Sequence, residues 1–113
     1  MFLSIPELVN GDDDQCWTYD GSKLSNKAGI WKDVGVTLPS PNTAGIIRKI
    51  GNNMVLSVQG TAVIEEAFAR NDNGQIWFRG NDNADGCFTL QHRDDSGSFL
   101  TAIDANRLEL HGN

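Results

Sequence analysis

Gln-x-Trp occurs twice in this chain, as "DQCW" at residues 14–17 and as "GQIW" at residues 74–77, with the two copies 60 residues apart. A recurrence of this kind constrains the fold strongly, because it divides 113 residues into copies of one unit. The rest of the chain agrees. "GSKLSNKAGIWKDV", starting at Gly21, aligns without a gap on "GIIRKIGNNMVLSV", starting at Gly45. "GCFTLQHRDDSGSFLTA", starting at Gly86, follows the same plan with a three-residue insertion in its turn. Trp31/Val34, Val55/Val58 and Phe99/Ala102 then fall at matching positions. The pattern predicts one domain of three lobes, roughly 21–44, 45–85, and 86–113 completed by 1–20. The first lobe is short and has no Gln-x-Trp. "GQIW" closes the second lobe and "DQCW" closes the third. Chain ends that meet in one lobe are ordinary for a single domain.

Local signals favour strands. "CWTYDGSKLSNKAG" (16–29) sets an Asp-Gly turn between Trp17/Tyr19 and Leu24. "RKIGNNMVLSVQG" (48–60) and "CFTLQHRDDSGSFLTAID" (87–104) each have a polar turn between apolar runs, and "RLELHGN" (107–113) alternates. Long helical periodicity is absent. The best helix candidate is Ala62–Arg70, which is short and uncapped. Many short strands at close spacing predict an all-β sandwich or barrel.

Charge narrows the partners. The formal net charge is −6, so a phosphate backbone or an anionic membrane surface is repelled. No apolar stretch approaches the roughly 20 residues of a membrane span. "MFLSIPELVNG" lacks a basic start and a long apolar run, and does not read as a signal peptide. The expectation is a soluble chain, cytoplasmic as written or a domain of a longer secreted one. The two cysteines, Cys16 and Cys87, are too few for a disulfide scaffold. Sequence leaves their separation, and so their pairing, open. The reading leans to unpaired thiols, with Cys87 beside Phe88 a small buried filler.

The segment "QCWTYDGSKLSNKAGIWKDV" (15–34), with "GIIRKIGNNMVLSVQG" (45–60) and "NDNGQIW" (71–77), resembles the ricin B-chain-type β-trefoil. The third hairpin is also similar to fascin-type trefoil repeats. The resemblance implies a six-stranded barrel capped by three hairpins, in which Gln15, Trp17, Gln75 and Trp77 are structural. Gln and Trp two residues apart would share one face of a strand.

The resemblance also implies a lectin for galactose or N-acetylgalactosamine. In that family an Asp at the end of a lobe's second strand accepts hydrogen bonds from sugar hydroxyls. An aromatic ring covers the sugar's C–H face, and a polar residue before Gln-x-Trp adds hydrogen bonds. Asp33 matches the Asp in the first lobe, whereas Ser57 and Thr101 stand at that place in the other two. The ring would be Trp31 or Phe68, although Trp31 also reads as core. The polar residue would be Asn73 in the second lobe and Asp13 or Asp14 in the third. The candidate sugar-binding residues are thus Asp33, Trp31, Asn73, Phe68 and Asp14, and no lobe carries the whole set. The alternative is a trefoil that binds a protein through degenerate sites.

Other chemistry finds little support. His92 and His111 have no nucleophile or ligand partner in sequence, so no enzyme is expected. "NDNADG" (81–86) spaces Asn81, Asn83 and Asp85 like the start of an EF-hand loop, but the twelfth place is His92, not Glu. "GDDDQ" (11–15) reads as a solvated turn. No metal or cofactor is expected. A reduced first lobe would leave core for a second chain to cover, so a homodimer is expected.

Overall fold

The computed structural model describes residues 13–31, 34–94 and 97–112. Among them the protein is all-β: eleven strands in one antiparallel sheet, with two short 3-10 turns and no α-helix. The strands are β1 (Trp17–Tyr19), β2 (Lys23–Asn26), β3 (Val34–Thr37), β4 (Thr43–Gly45), β5 (Arg48–Lys49), β6 (Met54–Gln59), β7 (Ala62–Ala67), β8 (Trp77–Arg79), β9 (Leu90–His92), β10 (Ser98–Asp104) and β11 (Arg107–Gly112). Their order across the sheet is β1-β2-β3-β5-β6-β7-β11-β10-β9-β8-β4.

The turns follow the local chemistry. Asp20 closes the β1–β2 turn: its Oδ1 accepts from the backbone N–H of Ser22 at 2.9 Å and of Lys23 at 2.7 Å. Gly21 follows at φ +98°, a conformation that costs a side chain dearly. The Gly-Asn-Asn turn joins β5 to β6, with Gly51 at φ +108° and Asn53 at φ 59°. The strand pairs implied by the three predicted turns form: β1 with β2, β5 with β6, and β9 with β10; the alternating segment β11 pairs with β10.

One local expectation fails. Ala62–Arg70 is not helical, because its first six residues are β7, paired residue for residue with β6 from Met54↔Ala67 to Gln59↔Ala62. β7 also pairs with β11 at Leu108↔Val63. Sheet hydrogen bonds on both sides outweigh the helix propensity of Ala and Glu, and a helix this short gains little alone.

The core holds Trp17, Leu24, Val36, Ile47, Trp77, Leu90 and Leu100, all with no solvent exposure. Around it the β1 end of the sheet order is tied back. Trp17 and Phe88 exchange both backbone hydrogen bonds, at 2.8 and 2.9 Å, linking β1 to the segment that leads into β9. Beside this bridge Cys16 and Cys87 form a disulfide, with Cα atoms 5.4 Å apart. The lean toward unpaired thiols is therefore corrected. The cause is the bridge, which sets the neighbouring residues on adjacent strands, a relation that sequence spacing cannot reveal.

Candidate ligand-binding surface

The two Gln-x-Trp copies fold alike. One 3-10 turn (Asp13–Gln15) ends on Gln15 and the other (Asn73–Gln75) ends on Gln75. Both glutamines are buried, and two residues later Trp17 and Trp77 open β1 and β8 with no solvent exposure. The indole N–H of Trp17 donates to Leu100 O at 3.0 Å, and that of Trp77 donates to Leu56 O at 3.1 Å. Leu56 and Leu100 are matching residues of the second and third hairpins. The glutamines lie in turns and not on the strands themselves, so the expected shared strand face is replaced by a shared burial.

Gln75 organises the chain just after β7. Its Nε2 donates to Ala67 O at 2.9 Å and to Glu66 Oε2 at 2.8 Å, while its Oε1 accepts from Ala69 N–H at 2.8 Å. The side chain thereby clamps the backbone on both sides of Phe68. The Phe68 ring is 48% exposed, and the Arg48 guanidinium stands over it at 5.6 Å from the centroid. Asn73 is exposed on the adjoining 3-10 turn. Asp72 caps that turn, accepting from Gly74 N–H at 2.9 Å. The hydrogen bonds from Gln75 and from the buried Ser57 hydroxyl hold the Glu66 carboxyl below the usual carboxylate range.

Gln15 makes related contacts beside β10 and β11. Its Nε2 donates to Gly112 O at 3.1 Å and to Thr101 Oγ1 at 3.2 Å. Thr101 corresponds to Ser57. The β6–β7 register pairs Leu56 with Glu65, and the β10–β11 register pairs Leu100 with Leu110. His111 therefore occupies the place of Glu66. Its ring lies 2.8 Å from Glu109 Oε1.

The sequence-predicted residues fall in three places. Phe68 and Asn73 both lie on segments that Gln75 anchors or belongs to. Trp31 is half-buried and meets Trp17 edge-on, with ring centroids 5.2 Å apart. Asp14 lies beside β2, where its carbonyl accepts from Asn26 Nδ2 at 3.1 Å. Asp33 lies outside the described residues. In the "NDNADG" segment, Asn83 Oδ1 accepts from the backbone N–H of Asp85 at 2.8 Å and of Cys87 at 3.2 Å. Its acceptor is thus used to build a turn. Among the described residues no group of three or more His, Cys, Asp or Glu is arranged to hold a metal ion, and no helix is long and apolar enough to cross a membrane.

Sequence reasoning missed Glu66. It lay inside the segment read as a helix candidate, where its phase relative to Gln75 had no meaning. The signal that finds it is the hairpin register, which puts residue 66 one position beyond the partner of Leu56. Comparison with protein-family models, with curated proteins and with solved structures yields no match.

Proposed function

We propose that this chain is a non-catalytic β-trefoil that binds carbohydrate, with galactose- and N-acetylgalactosamine-terminated glycans as its ligands. The trefoil reading draws support from the two equivalent Gln-x-Trp units and from the Trp17–Phe88 bridge, which ties one end of the sheet back toward the other. The binding reading rests chiefly on one observation: Gln75 fixes the backbone on both sides of Phe68, so a solvated ring is held in a defined position. Exposed rings on rigid backbone are suited to the C–H face of a sugar. Asn73, exposed in the same lobe, offers both donor and acceptor groups to hydroxyls.

A second reading, a protein-binding trefoil, draws on a different feature. Ile50 is 57% exposed, and its side chain lies over Gly35 of the short first lobe. A homodimer would cover the same side chain.

A glycan array tests the first reading, with Phe68→Ala, Asn73→Ala and Asp33→Ala run beside the unmodified chain. Binding lost in Phe68→Ala and Asn73→Ala and kept in Asp33→Ala is expected. Loss in Asp33→Ala alone moves the site to the first lobe. No glycan bound by the unmodified chain overturns the carbohydrate reading.

A further inference from the structure

Glu66 has three properties that a structural side chain of this sheet does not need together. It is half-buried, it accepts hydrogen bonds from two side chains of its own lobe, and it lies two residues before the exposed Phe68. A carboxylate has room for about four hydrogen bonds on its two oxygens. Gln75 and Ser57 use part of that capacity and fix the group's orientation. Phe68 stands just past the end of β7 at Ala67, and Gln75 holds the backbone on both sides of it. Gly74 adjoins the serine that holds Glu66: a Cβ there would meet Asp72 Oδ1 at 3.1 Å and Ser57 Oγ at 3.6 Å.

We infer that Glu66 is the hydroxyl-accepting anchor of a ligand site in the second lobe, in which Phe68 covers the ligand's apolar face and Asn73 borders it. The inference rests on the carbohydrate reading above. It resolves a difficulty in that reading, since Ser57 stands where a carboxylate was expected. Ser57 does not replace the carboxylate; it orients one supplied by the next strand. The ligand class is a polyol with adjacent hydroxyls beside a C–H face. An oriented, ionised acceptor gains more from such hydroxyls than a neutral amide does. The third lobe cannot repeat the arrangement. His111 stands at the place of Glu66 and is engaged with Glu109. Of the two Gln-x-Trp lobes, the second alone carries this arrangement among the described residues.

The test is titration of the whole chain with methyl β-galactoside and with methyl N-acetyl-α-galactosaminide, followed by backbone amide NMR. Glu66→Gln keeps the shape and one acceptor for Gln75. It is expected to weaken binding by about tenfold or more, the scale of a lost charged hydrogen bond, while the amide spectrum stays folded. Binding unchanged within about twofold in Glu66→Gln overturns this assignment and leaves the carbohydrate reading standing. Binding absent in the unmodified chain overturns both. Should Glu66→Gln fail to fold, the unmodified chain decides: sugar-induced shifts at Ser57, Glu66 and Phe68 support the assignment, and shifts confined to other lobes overturn it.

Discussion

The indole nitrogen of Trp17 and the carbonyl oxygen of Leu100 are hydrogen-bonded at 3.0 Å across 83 residues of chain. The same bond joins Trp77 to Leu56 across 21 residues. Each tryptophan fills core and also satisfies a carbonyl that has no water available. Trp17→Phe and Trp77→Phe keep an aromatic ring and lose the donor. Each is expected to cost about 1–3 kcal/mol or more, because a buried carbonyl is left unpaired and a smaller ring leaves space. Urea unfolding measures it. A cost near zero in either variant would show that the bond at that position contributes nothing.

The Cys16–Cys87 disulfide spans 71 residues. Closing a loop of that length removes unfolded-state entropy equivalent to about 4 kcal/mol on the chain-entropy account. A Cys16→Ala/Cys87→Ala double variant is expected to lose stability on that scale and to retain the same fold, since the Trp17–Phe88 bridge remains. Denaturant midpoints of the oxidised chain and the double variant provide the comparison. Equal midpoints would contradict it.

His92 is buried against Trp77, with ring centroids 5.4 Å apart, and neither ring nitrogen has a hydrogen-bond partner among the described residues. Unpaired buried polar atoms cost about 1–3 kcal/mol. His92→Leu removes both and keeps an apolar filler, so it is expected to be neutral or stabilising. A clear loss of stability would mean that the imidazole has a role in the fold beyond filling space.

Glu66 makes stability depend on pH with a definite sign. Its folded carboxyl titrates below the ordinary range because Gln75 and Ser57 hydrogen-bond the ionised form. Between the folded and the ordinary value the unfolded chain binds more protons, so stability rises with pH there. The contribution is full above the ordinary carboxyl range and is lost as pH falls through the lowered folded value. Glu66→Gln removes it. The stability difference between the unmodified chain and this variant is expected to shrink on acidification, read from urea midpoints across a pH series. A difference independent of pH would show that the carboxyl is not ionised in these bonds.

Much of the fold was legible because turn residues and hairpin spacing act locally. Asp20-Gly21 and Gly51-Asn52-Asn53 mark their turns by backbone requirements that few residues meet. Gln75 and Trp77 were recognisable as a pair because both are large and must be buried together. Ala62–Ala67 misled because its sheet partners are supplied from elsewhere, and propensity carries no record of them. The disulfide was hidden for a related reason: Cys16 and Cys87 become neighbours only once β1 and the segment before β9 are joined. In the candidate site, Phe68 and Asn73 were legible from their offsets to Gln75. Glu66 was not, since its relation to Gln75 depends on which strand pairs with which.

The bond between Trp17 and Leu100 also sets an order of events during synthesis. Trp17 is made early, and its acceptor is made 83 residues later. Until then its indole has neither its carbonyl nor the wall of core that Leu100 and Phe88 supply. The β6–β7 pair can form as soon as β7 emerges, but the packing around Trp17 waits for nearly the whole chain. A nascent chain stalled before residue 88 would carry an exposed tryptophan beside an unpaired Cys16, the kind of sticky, oxidisable surface that chaperones and disulfide-forming enzymes attend to.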